Sequence, residues 1–194
     1  MNTPAHLLLG GAVFGRRGDR GLTWAALAGG LLPDLSLYLM AAVSILLLGI
    51  GPDRVFGELY FSGAWQLVFA VDNSFVLWGI ALGAALWLRS GRGVALTGSA
   101  LLHLVFDLLL HHDDARRHFW PLSDWRFASP VSYWDPAHGG AIVAPIETAL
   151  ALICAGIILR QRPGRVLGGV AVLLAAAQFA PFVVWALVFG GQGG

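Results

Sequence analysis

Residues 99–112, SALLHLVFDLLLHH, set a histidine, an aspartate and two further histidines into an otherwise apolar run. His103, Asp107 and His111 recur at i, i+4 and i+8, which on a helix lines them along one slowly drifting face. Leu101, Leu102, Val105, Phe106, Leu108 and Leu109 cover much of the remainder. The stretch therefore reads as an oily helix carrying one polar stripe. A histidine and a carboxylate four residues apart can share one cation, or the carboxylate can orient the ring from behind. The same pair can equally be a buried hydrogen bond that fastens helices together.

The rest of the chain sets the context. Its 194 residues are 57% hydrophobic and 12% charged, include no lysine and carry a formal charge of +1. Mean hydropathy is +0.73, far from the balance of a soluble globular domain. Apolar stretches at 22–50, 64–88, 93–111, 141–159 and 166–190 approach or exceed the roughly 20 residues that cross about 30 Å of hydrocarbon. Ahead of them, Thr3 and Pro4 suit the cap and first position of a short apolar helix reaching about Gly15, enough for about half a bilayer. The expected fold is all-α: a polytopic helical membrane bundle of five full spans plus a short membrane-inserted N-terminal helix. It forms a single domain over 1–190, with a flexible GGQGG tail reaching 191–194. Arg16, Arg17 and Arg20 follow the first apolar helix, the reverse of the charge order in a signal peptide, so 1–15 is read as part of the mature fold. Cys154 stands alone in mid-span, which excludes a disulfide framework and suits inert packing. The near-neutral charge gives no footing for nucleic acid.

Orientation follows from the arginines. Segments 16–21, 89–92 and 160–165 carry three, two and three of them and alternate along the chain with segments 51–63 and 112–140. The positive-inside rule makes the first set cytoplasmic and the second outward. Counting about 1.5 Å per residue from the cytoplasmic ends places His6, Asp34, His103, Asp107, Asp72 and Glu147 about 14 to 24 Å up, in one layer. Each charged group at a helix centre costs at least about 2.5 kcal/mol unless paired, coordinated or hydrated. Six ionisable groups at similar depth favour a metal site over isolated packing bonds.

PAHLLLGG near the start, LLPDLS around Pro33 and Asp34, SALLHLVFD around His103 and Asp107, and WPLSDWRF at 120–127 resemble, in order and spacing, a bacterial family. It is the LexA-regulated inner-membrane family described as metal-dependent hydrolases and compared with zinc-dependent phospholipase C. The resemblance covers residues 4 to 130. It implies a metal held by His6, Asp34, His103 and Asp107, in the inner membrane. The chain also departs from the family. Leu35, Ser36 and Leu37 follow Pro-Asp where a second aspartate and a histidine are common. VDNS places Asn73 where a histidine is expected and leaves Ser74 matched. Asp72 can replace an oxygen ligand, and His111 or His112 a nitrogen ligand. Zinc remains the first expectation, and a carboxylate-rich set suits manganese or magnesium as well.

Each residue also has a plainer reading. Asp34 can cap a helix restarted after Pro33. His6 can be an ordinary packed histidine, and Asp72, Asn73 and Ser74 an interhelical hydrogen-bond cluster. Glu147 can serve as a general base or pair with an arginine such as Arg116 or Arg117. In the outward segment 112–140, Trp120, Trp125, Tyr133 and Trp134 suit an aromatic membrane interface. The same segment can act as a lid whose Arg116, Arg117 or Arg126 meets a lipid headgroup. His111, His112, Asp113, Asp114 and His118 can also form a second, shallower metal site.

Three functions are compatible with these residues. One is a membrane-embedded hydrolase of a lipid or lipid-linked phosphoester or amide, using metal-activated water with Glu147 or Asp72 as proton acceptor. The site would open toward the outer, periplasmic side. The second is an ion or proton transporter, although paired repeats are not visible. The third is a non-catalytic scaffold whose polar layer fixes packing.

Overall fold

Residues 3–14 can begin a helix because Pro4 lies in the first turn, where its missing N–H costs no intrahelical bond. The computed structural model describes residues 1–180, and the regular elements among them are helical. Helix α1 spans Thr3–Phe14, one residue away from the expected register: Asn2 is the cap. Thr3 lies inside the helix and donates its hydroxyl to Asp34 Oδ2.

Helix α2, Arg20–Ala42, opens on Asp19, whose carboxylate accepts the Leu22 N–H. It runs unbroken through Pro33 and widens into a π-turn at Val43–Leu47. The helix does not restart after the proline, so Asp34 is not a cap. An internal proline is tolerated because neighbouring elements satisfy the backbone around it. The Gly30 carbonyl lies 2.8 Å from His103 Nδ1, and the Pro33 carbonyl accepts from Asn73 Nδ2 at 3.2 Å.

After the short α3 (Pro52–Arg54) and a π-turn at Val55–Leu59, the expected span 64–88 appears as two helices, α4 (Gly63–Asp72) and α5 (Phe75–Trp87). Asn73 leaves the helical conformation, and Ser74 caps α5 by accepting the Leu77 N–H. Short polar side chains compete with the backbone in this way and favour helix ends. The break is also occupied from outside. Phe75 N–H donates to the His118 carbonyl, His118 Nδ1 donates to the Asn73 carbonyl, and Ser74 donates to the Trp120 carbonyl. The segment expected to be an interfacial loop is thus bonded into the bundle.

Helix α6, Gly91–Leu110, is capped by Ser90; α7 spans Gly140–Arg160 and α8 Arg165–Ala177. Among the described residues, four stretches are long and apolar enough to cross a membrane: Arg20–Leu47, Gly63–Trp87, Gly91–Leu110 and Gly140–Arg160. The expected fifth span begins as α8, which ends at Ala177, and its part beyond 180, like the tail at 191–194, lies outside the described residues.

Short α1 is the hub, packed against α2, α6, α7 and α8. Ala5, Leu8 and Leu9 meet Ala151, Cys154, Ala155 and Ile158 of α7 and Ala171 of α8, so Cys154 is a packing residue. Leu46, Leu47, Trp87 and Ile142 point outward, the distribution of a bundle solvated by lipid. At one end, Arg16, Arg20, Arg92 and Arg162 line a common cavity of about 460 Å³. Segment 111–139 follows the far end of α6 and covers the opposite pole.

Candidate metal centre

The polar stripe of α6 faces α1 and α2. His103 sits four residues before Asp107, and its Nε2 lies 3.0 Å from Asp107 Oδ2. His6, one turn into α1, brings its Nε2 to 2.9 Å from Asp107 Oδ1. The two imidazoles stack with centroids 3.6 Å apart and planes 11° from parallel. All three side chains are buried. Asp34 of α2 completes the group, with Oδ1 at 3.6 Å from His103 Nε2. The four residues implied by the family resemblance therefore converge from three helices.

The surroundings orient these donors. His103 donates its Nδ1–H to the Gly30 carbonyl, which leaves the lone pair on Nε2 and aims it at the cluster. Thr3 holds one oxygen of Asp34, and its hydroxyl also lies 2.6 Å from Tyr38 Oη. The other ring nitrogen of His6, Nδ1, has no partner among the described residues. One donor atom each from His6, His103 and Asp107 falls within 4.8 Å of the others. Two imidazoles and a carboxylate, with a second carboxylate beside them, form a donor set suited to zinc and to other divalent first-row ions.

His111, the cap residue after α6, extends the stripe. Its Nε2 lies 3.2 Å from Asp107 Oδ1 and its Nδ1 2.8 Å from Asp114 Oδ2. Burial pushes its pKa down, but the neighbouring Asp107 and Asp114 carboxylates more than offset this and raise it to about 9. Burial likewise pushes Asp114 up, and His111 beside it brings the net value below the ordinary carboxylate range. Next to this pair is a cavity of about 120 Å³ whose lining includes Asp34, Tyr60, His111, Asp114, Arg116 and Tyr133. It provides an opening beside the buried cluster.

The other candidates are placed elsewhere. Asp72 ends α4 at the helix break and does not line this cavity. Glu147 is buried on α7, where its Oε1 accepts the Asn2 backbone N–H at 2.9 Å and its Oε2 has no partner among the described residues. His112 turns to the Ser129 carbonyl. Arg116 lines the cavity, its guanidinium lying over the rings of Phe69 and Tyr60 at 4.4 and 5.0 Å, with Nη1 buried and unpartnered among the described residues. Arg117 is engaged by Asp124 and the Gln66 carbonyl, and Arg126 is exposed away from the cavity.

Sequence reading missed Thr3, Gly30, Tyr60 and Tyr133 as parts of the site. Proline three residues after Gly30 was the one available signal, since it disturbs the carbonyls of the preceding turn. No family model matches the chain, nor does any curated protein or solved structure.

Proposed function

We propose that this chain is a membrane-embedded, metal-dependent hydrolase of a lipid or lipid-linked phosphoester. The carrying observation is the convergence of His6, His103 and Asp107 around one point, with Asp34 beside them and an arginine-lined cavity adjoining. His6, His103 and Asp107 would hold the ion. A divalent ion bound there polarises a phosphoryl oxygen and lowers the pKa of water toward neutrality.

The remaining work falls to the chain's own groups. Arg116 is the one arginine of the outer segment that lines the cavity, and its free Nη1 suits a phosphate oxygen. An amide substrate would offer that guanidinium no charge, which favours the phosphoester. Asp34, oriented by Thr3, lines the cavity and is better placed than Asp72 to accept a proton. His111, flanked by Asp107 and Asp114, is placed to donate one to the leaving group. Glu147 has a supporting part through Asn2 in this reading, so Glu147→Gln, which keeps an acceptor oxygen, leaves activity near wild type. In the same reading the arginine-bearing pole faces the cytoplasm and the cavity opens toward the periplasmic side of a bacterial inner membrane.

The test is hydrolysis of phospholipid and of ceramide-type amide by zinc-loaded protein in mixed micelles, followed by mass spectrometry. Phosphoester cleavage is expected, lowered by about 100-fold in Arg116→Ala with metal content retained, a loss typical of removing a transition-state charge partner. Arg116→Lys should recover part of it, and Arg126→Ala should match wild type. Amide cleavage alone, or equal phosphoester rates with and without Arg116, would refute the substrate assignment. Ion flux in liposomes without hydrolysis would favour a transporter.

A further inference from the structure

A second pair of histidines lies outside the buried cluster. His112 follows α6 directly, and His138 ends the 3-10 turn Pro136–His138 that leads into α7. The 25 residues between them fold back so that the two rings stack with centroids 3.6 Å apart and planes 23° from parallel. Asp113 joins them, and one donor atom from each of the three residues lies within 4.8 Å of the others.

What separates this group from a chance contact is the fixing of both rings from behind. His112 donates Nδ1–H to the Ser129 carbonyl at 2.6 Å, and His138 donates Nδ1–H to Asp135 Oδ2. Each ring thus keeps its lone pair on Nε2, the arrangement in which metal-bound histidines are held by a carbonyl or a carboxylate. The holders are themselves anchored. The Ser129 N–H donates to the His111 carbonyl at 2.9 Å, and Asp135 also accepts the Ala137 N–H at 2.9 Å. The Ser132 N–H donates to the His138 carbonyl at 2.8 Å, and the Tyr133 N–H to the Leu110 carbonyl at 3.1 Å. The segment is laced to the end of α6 and the start of α7 around this point.

We propose that His112, Asp113 and His138 form a second metal site that takes one zinc ion or a similar imidazole-preferring first-row ion. It does not depend on the hydrolase reading. Two imidazole nitrogens and one carboxylate oxygen, already within 4.8 Å of one another, supply three ligands for a single ion. The donor set excludes magnesium and calcium, which require a cage of oxygens. Because 112 and 138 lie on either side of Tyr133, which lines the cavity of the buried site, the ion would clip that wall to the ends of α6 and α7. His111 and His112 then belong to different centres although they are adjacent in sequence.

Zinc content of detergent-purified protein, measured by mass spectrometry after dialysis against a weak chelator, tests this directly. Wild type should hold two equivalents. His138→Ala and His112→Ala should each hold one, with unchanged melting temperatures in chelator, since the loop keeps its backbone bonds. His103→Ala should also hold one, and only His103→Ala combined with His138→Ala should hold none. Excess magnesium should displace neither ion. Equal zinc in wild type and His138→Ala, or no zinc left in His103→Ala, would overturn the second site. A deficit in His138→Ala while His103→Ala matches wild type would leave this site standing and remove the buried one.

Discussion

Asp107→Ala should abolish binding at the buried centre and unsettle the bundle around it. The Asp107 carboxylate is shared by three imidazoles: His6 Nε2 at 2.9 Å, His103 Nε2 at 3.0 Å and His111 Nε2 at 3.2 Å surround it. Alanine removes a ligand and the common acceptor together. Cutting one member out of a buried charged group costs about 3–5 kcal/mol, because its partners stay behind uncompensated. The measurement is zinc stoichiometry beside thermal melting in detergent. Wild type should lose its buried ion on strong chelation and regain it with zinc, whereas Asp107→Ala should melt lower and gain nothing at that site. Asp107→Asn keeps the shape and one acceptor oxygen, so it should restore part of the melting temperature without restoring the ion. Stoichiometric zinc at the buried site in either variant would exclude Asp107 as a ligand.

The spacing of His103, Asp107 and His111 made the polar stripe legible because helical periodicity is local. The direction in which that stripe points was legible only through depth, since ionisable groups in hydrocarbon must find one another. Hence the stripe meets His6 and Asp34, although 69 residues separate Asp34 from His103. Hydropathy read the helices well at α2, α6 and α7, where apolar runs end in arginines or caps. It failed at Asn73 and Ser74, because two polar residues barely lower the mean hydropathy of the 25-residue stretch Gly63–Trp87. Residues 118–120 dock into that break, a contact no local pattern encodes. Composition likewise described segment 112–140 as aromatic and charged, but its bonds to 73–75 and to the end of α6 arise from tertiary pairing. The Gly30 carbonyl that orients His103 was illegible for a plainer reason: every residue has a carbonyl, and only the fold says which one is used.

Gly29→Leu should separate α2 from α6 and destroy the site without touching one of its residues. A Cβ built at Gly29 would lie 1.9 Å from the Leu96 carbonyl oxygen, a backbone atom that no rotamer change can move aside. Close backbone approach through small residues drives helix association in lipid, where burying apolar surface gives little advantage. At the next residue, Gly30, a Cβ would lie 2.8 Å from the His6 carbonyl oxygen and 2.9 Å from Leu7 Cα, and the Gly30 carbonyl holds His103. Pushing α2 outward would therefore draw Asp34 and the Gly30 carbonyl away from α6 together. Overpacking costs about 1–3 kcal/mol where side chains can yield, and an unyielding backbone contact should exceed that range. Gly29→Leu should melt well below wild type and lose the buried zinc while keeping the ion at His112 and His138, whose holders lie beyond the far end of α6. Gly79→Leu is the control, because nothing lies within 4 Å of a Cβ there. That variant should retain both ions and melt near wild type. A Gly29→Leu protein with wild-type melting and full zinc would show that α2 and α6 do not pack through this glycine.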